Sequence, residues 1–205
     1  MARTHRQTRK LLRLPSRAAL CTLALVYAGA LAASAPPIHV RNFREVNAGI
    51  YRGGEPSVVG LEELGAMGIK LVVDLRESSD ATKFEQRHVE QLGMKYINIP
   101  FSGWAAPSRA QVDKVLALLL HADPAHPVFV HCHRGKDRTG TVVACYRIQH
   151  DGWNNHQALA EANKYGMSYA ERGMRSFVMQ FPHAPVQAMA SPAVPVTPAP
   201  AAARP

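Results

Sequence analysis

The chain has 205 residues, 47% of them hydrophobic and 19% charged, which suits one domain of ordinary size with tails and excludes a disordered chain. Its three cysteines exclude a disulfide-stapled mini-protein. The net charge of +9 points to nucleic acid only until it is located: six bases and no acid lie in residues 1–35, leaving eighteen bases against fifteen acids over the rest, with no basic stripe to follow a phosphate backbone.

The first predicted element is an export signal. Arg3, Arg6, Arg9, Lys10, Arg13 and Arg17 form a basic head, and the uncharged run Ala18 to Ala35 follows it. Small-residue cleavage sites stand at Ala28-Gly29-Ala30, Ala30-Leu31-Ala32 and Ala33-Ser34-Ala35, the last disfavoured by Pro36. Residues 1–35 therefore read as a signal peptide or as an uncleaved signal anchor, because the apolar run is near the lower limit for crossing a bilayer. Either way the folded part is expected outside the cytoplasm, periplasmic or secreted, attached to a membrane only if the anchor is kept. That compartment is oxidising, yet only Cys132 and Cys145 remain beyond the apolar run. They are too few for a disulfide framework.

The folded domain is expected over residues 36–182. Gly49 to Arg52 reads as a short strand ending at Gly53-Gly54, and Ser57 caps a helix through Met67. Ile69 to Leu75 is β-branched and almost wholly apolar, as a buried strand should be. A polar helix from about Ala81 to Leu92 precedes a strand from Met94 to Ile99. Ser108 caps a helix with Val112, Val115, Leu116 and Leu119 on one face. The buried strand Pro127 to His131 leads through a Gly-containing loop to an apolar helix, about Thr139 to His150, with one or two more helices to Phe181. This alternation predicts an α/β domain with a central, mostly parallel sheet flanked by helices. Ligands in such sheets sit at the carboxyl ends of strands. From residue 183 to 205 an Ala/Pro-rich stretch cannot bury a core and reads as a disordered tail.

The loop His131 to Gly140, HCHRGKDRTG, stands where such a site is expected. A short loop closing onto a helix N-terminus points its amides inward as an anion cup, and the helix adds partial positive charge. Arg138 can return a two-donor fork to the same anion. Cys132 lies at the floor of that cup, where a thiolate is favoured. The arrangement suits in-line attack on a tetrahedral phosphoryl group.

Cys132, five residues, Arg138 and then Thr139-Gly140 resemble the signature of the cysteine-dependent protein tyrosine phosphatase superfamily, and the whole string is most similar to its compact, atypical dual-specificity branch. Asn42-Phe43, Gly49-Ile50-Tyr51-Arg52-Gly53-Gly54, Val73-Asp74-Leu75-Arg76 and Ile99-Pro100 fall in the order seen in that branch. The resemblance covers about residues 40–165. It implies a tyrosine/dual-specificity phosphatase fold and a phosphoric monoester hydrolase acting through a phosphocysteine on Cys132. Arg138 would bind phosphoryl oxygens, as would the loop amides of His133, Arg134, Gly135, Lys136 and Asp137. Thr139 would help the sulfur leave, and His131 would orient the loop and hold the thiolate. Neither metal nor cofactor is implied.

The family usually supplies an aspartic acid from a mobile loop to protonate the leaving oxygen. The corresponding stretch, Phe101 to Pro107, holds no carboxylate. Asp137 is a substitute, since some lipid-directed relatives carry Asp at that position; alternatively it braces the loop. Asp113 reads as a surface residue, and Asp74 as structural, holding Arg76 or a loop amide. His133, Arg134 and Lys136 either select a small polyanionic phosphate ester, such as an inositol polyphosphate or phosphoinositide, or point outward beside an ordinary phosphorylated protein. Trp104 is a rim residue or a packing residue of a closed loop. Cys145 reads as a buried apolar residue or as a redox partner of Cys132. A metal site at His131-Cys132-His133 lacks partner ligands elsewhere, a nucleotide-binding loop lacks its Ser or Thr after Lys136, and a sulfurtransferase loop would be one residue shorter. An inactive phosphate-binding module remains the alternative from a different class.

Overall fold

The computed structural model describes residues 39–183, so the predicted export segment and most of the Ala/Pro-rich tail lie outside the described residues. A five-stranded sheet runs in the order β1 (Arg44–Asn47), β2 (Ile50–Gly54), β5 (Val128–Cys132), β3 (Leu71–Asp74), β4 (Lys95–Asn98). Every pairing is parallel except the antiparallel edge pair β1–β2. The most apolar strand, β5, takes the centre, with all five residues buried. Its neighbours align Cys132 with Gly54 and His131 with both Gly53 and Asp74. The end of β5 is therefore flanked by two glycines on one side and by a carboxylate on the other.

Strand alternation sends successive side chains to opposite faces. Val72 and Phe129 pack with Leu61 and Leu64 of α1 (Val58–Ala66) and Val89 of α2 (Asp80–Gln91). Val73 and Val130 pack with α3 (Arg109–Leu119), α4 (Asp137–Gln149), α5 (Asn155–Lys164) and α6 (Arg172–Gln180). Ser57, Ser79, Ser108 and Asn154 each accept a hydrogen bond from an amide of the first turn they precede. Replacing such a cap by Ala costs about 1 kcal/mol.

The predicted elements are present with ends shifted by a few residues, and two helices occupy the stretch left open before Phe181. Strand β1 was not expected. Helix α4 begins at Asp137, two residues earlier than predicted, so Arg138 lies inside its first turn. Among the described residues, no helix is long and apolar enough to cross a membrane.

Candidate active site

Residues 133–136 carry the chain from β5 into α4 and form the cup expected from the sequence. Cys132 is at its floor, 2% exposed. Burial pushes the thiol up, but the side chain and amide of Thr139, the Arg138 charge and the Arg134 amide more than offset it, so the thiol stands below its ordinary value. Thr139 Oγ1 is buried with no other hydrogen-bond partner, and its side chain is among the groups that lower the Cys132 thiol. Gly135 has φ +68°. Its carbonyl accepts hydrogen bonds from Asn42 Nδ2 at 2.9 Å and Arg52 Nη2 at 2.8 Å. Arg138 reaches the carbonyls of Leu75 and Phe101 at 3.5 and 3.4 Å, long contacts that leave donors for an anion.

The cup opens into a cleft of about 390 Å3 bordered by Cys132, His133, Arg134, Asp137 and Arg138 together with Glu77, Gly103, Trp104 and Glu171. Trp104 is 90% exposed, a rim residue and not a packing one. His133 and Arg134 are mostly exposed, with His133 Nδ1 2.7 Å from Glu55. The Lys136 side chain does not border the cleft; its stem lies against Gly166, so any part Lys136 takes in holding phosphate falls to its amide. Asp137 is at the cleft, but its Oδ1 accepts from the Ser168 amide at 2.8 Å and its carboxylate is 3.6 Å from Arg134. These contacts tie the start of α4 to the connection before α6. Asp113 pairs with Arg109 on the surface. Cys145 is a free, fully buried thiol pushed up by burial, the apolar role and not that of an activated group.

A family described as "DSP-PTPase phosphatase fused to NAD+ Kinase" matches residues 15–193. The chain belongs to this phosphatase family. TpbA, a dual specificity protein phosphatase of Pseudomonas aeruginosa, is 29% identical over 125 residues, spanning 61% of this chain and 55% of that one. Its crystal structure matches with a TM-score of 0.58 at 26% identity, covering 67% of this chain and 83% of that one, and TpbA has also been crystallised in complex with phosphotyrosine. OCA1 of Meyerozyma guilliermondii is 29% identical over 143 residues (63% and 72% of the two chains). Inositol diphosphatase DSP4 of Arabidopsis thaliana is 31% identical over 123 residues (55% and 56%). The fold is that of tyrosine/dual-specificity phosphatases, and this chain is an enzyme of that kind.

Beneath the phosphatase cup lies a buried charge cluster that the sequence indicated only in part. Arg76 donates to both oxygens of Asp74 and to Glu85, and pairs with Glu55. Asp74 thus holds Arg76, as expected, and also accepts from the Tyr96 hydroxyl at 2.7 Å. The fully buried His131 ring stacks on Phe129 and places Nε2 2.8 Å from Glu85. It faces these carboxylates. His131 stands immediately before Cys132 on β5, with its Nε2 also 3.9 Å from Asp74. Asp74, Glu85 and His131 lie close enough to share a cation, but the Arg76 guanidinium already bonds both acids, so these residues do not fit a metal. Glu77, Glu85 and Glu171 were missed. Nothing local marks them, because each reaches its place through the tertiary fold.

Proposed function

We propose that this phosphatase hydrolyses phosphoric monoesters of phosphorylated proteins through a phosphocysteine, outside the cytoplasm. The observation that carries the chemistry is the Cys132 thiol, buried yet held below its ordinary value by Thr139, Arg138 and a loop amide. The Cys132 thiolate attacks phosphorus, Arg138 and the loop amides of residues 133–137 take the charge on the non-bridging oxygens, and Thr139 stabilises the sulfur when water releases phosphate. An open cleft with the exposed Trp104 at its rim suits an aromatic phosphoester on a protein surface.

The test is hydrolysis of p-nitrophenyl phosphate under reducing conditions with chelator present. Wild type should turn over, and Cys132→Ser should lose at least about 10^3-fold while keeping phosphate affinity. Sensitivity to chelator, or activity surviving in the variant, would refute the cysteine mechanism. Phosphate binding without turnover in the wild type would identify an inactive module.

One observation favours a polyanionic substrate as the second reading. A cleft of about 300 Å3 bordered by His39, Arg41, Glu55, Pro56 and Ser57 shares His133 with the catalytic cleft; Arg41 and the two histidines offer bases for a second phosphate beside the Glu55 carboxylate, and the relative DSP4 is named an inositol diphosphatase. A panel of phosphotyrosine peptides and inositol polyphosphates decides between the two by kcat/KM.

Export rests on the basic head and apolar run of residues 1–35. Fused to a reporter active only after translocation, this segment should make the reporter active in a bacterial host; an inactive, cytoplasmic fusion would refute it.

A further inference from the structure

The stretch from which a general acid is usually supplied, Phe101 to Pro107, contributes only Gly103 and Trp104 to the catalytic cleft. Three carboxylates from elsewhere border it: Glu77, Asp137 and Glu171. Asp137 is engaged by the Ser168 amide and neighbours Arg134. Glu77 is exposed, on the connection between β3 and α2. Glu171 is half-buried and occupies the N-cap position of α6 without using its side chain as a cap. Its carboxylate borders the cleft and has no hydrogen bond or ion pair among the described residues.

Its support is rigid. Helix α6 buries Met174 and Val178, and Asn155 Nδ2 donates to the carbonyls of Val178 and Phe181 at 2.7 and 2.9 Å. A Cβ added at Gly173 would come within 3.2 Å of the Ala106 amide, so the first turn of α6 lies directly against the stretch that lacks the acid. The carboxylate is thus offered from the neighbouring element.

We propose that Glu171 is the general acid of this enzyme. The proposal rests on the phosphatase reading and completes it. As the Cys132 sulfur–phosphorus bond forms and the bond to the leaving oxygen breaks, the Glu171 carboxylic proton passes to that oxygen. The resulting carboxylate then takes a proton from the water that attacks the phosphocysteine; the sulfur–phosphorus bond breaks, thiolate returns and inorganic phosphate leaves. Every proton is accounted for with water as the only co-reactant.

The experiment compares the full chain and its Glu171→Gln variant on p-nitrophenyl phosphate, whose leaving group needs little protonation, and on phenyl phosphate, whose leaving group needs much. General acids contribute about 10^2–10^4-fold. Glu171→Gln should therefore lose at least about 100-fold in kcat on phenyl phosphate and less than about 10-fold on p-nitrophenyl phosphate. It should also lose the alkaline limb of the wild-type pH profile on phenyl phosphate, and Glu171→Asp should recover part of the rate. Retention of the vanadate-induced rise in Tm in Glu171→Gln establishes that the cup is intact. Equal losses on both substrates, no loss on either, or a leaving-group-dependent loss in Glu77→Gln or Asp137→Asn in place of Glu171→Gln would overturn the assignment. A wild type inactive on both substrates would instead overturn the phosphatase reading, and this assignment with it.

Discussion

Gly135 sets the shape of the catalytic cup. Its φ of +68° lies in the left-handed region, and an added Cβ would stand 2.4 Å from the carbonyl carbon of Gly53 and 2.5 Å from the Gly54 amide nitrogen, far inside van der Waals contact. Asn42 and Arg52 hold the Gly135 carbonyl from outside the cup. In a trans peptide the carbonyl and the following N–H point in opposite directions, so pinning this oxygen outward turns the Lys136 amide inward. Arg52 adds charge as well. Arg52 is 1% exposed, with its guanidinium over the Tyr165 ring, and burial lowers its affinity for a proton by more than the nearby Glu161 and Cys132 raise it. Gly135→Ala should therefore cost about 1–3 kcal/mol in backbone strain, read from the denaturant midpoint, and at least about 10^2-fold in kcat/KM, because displacement of reacting groups by about 1 Å has that effect. Wild-type stability and rate in this variant would show that the loop does not need the left-handed conformation.

At the scale of elements, the sequence was most informative where one physical rule acts alone. The apolar runs of β3 and β5 and the serines before α1 and α3 need no partner to be recognised. Strand β1 was illegible because REVN carries one apolar residue and pairs as an irregular edge strand, so no alternation marks it. Helix α2 inverts the usual pattern: Phe84 is exposed and Glu85 is buried. The inversion has a cause, since Arg76 and His131 need the Glu85 carboxylate inside, but those residues lie 9 and 46 positions away and nothing in the helix itself announces them. The candidate site divides in the same way. Cys132, Arg138 and Thr139 belong to one contiguous loop whose spacing encodes its chemistry. Glu171 is carried to the cleft by α6, an element whose docking depends on α5 and on the stretch before α3.

Across the whole molecule, the buried charge cluster joins β3, β5 and α2 and couples protonation to folding. Burial pushes Asp74 up, yet the His131 charge and the hydrogen bonds and charge of Arg76 bring it below the usual 3.8. Burial lowers His131, yet the charge and hydrogen bond of Glu85 and the Asp74 charge raise it above the usual 6.5. The signs follow from linkage. The Asp74 contribution is present above its unfolded value and is lost as pH falls through the lower folded one. The His131 contribution is complete below its unfolded value and is lost as pH rises through the higher folded one. Stability should therefore be greatest between about pH 4 and 6.5, and on the alkaline side this one proton can change it by at most about 1.4 kcal/mol per pH unit. Tm measured from pH 5 to 9 at constant ionic strength should fall above neutrality. Glu85→Gln removes the nearer of the two acids that raise His131. It should cost about 3–5 kcal/mol where the wild type is most stable, as loss of one member of a buried ion pair does, and it should flatten the alkaline decline. A wild-type Tm constant from pH 6 to 9, or an unchanged slope in Glu85→Gln, would mean that His131 is neutral throughout and that Arg76 alone balances the two acids.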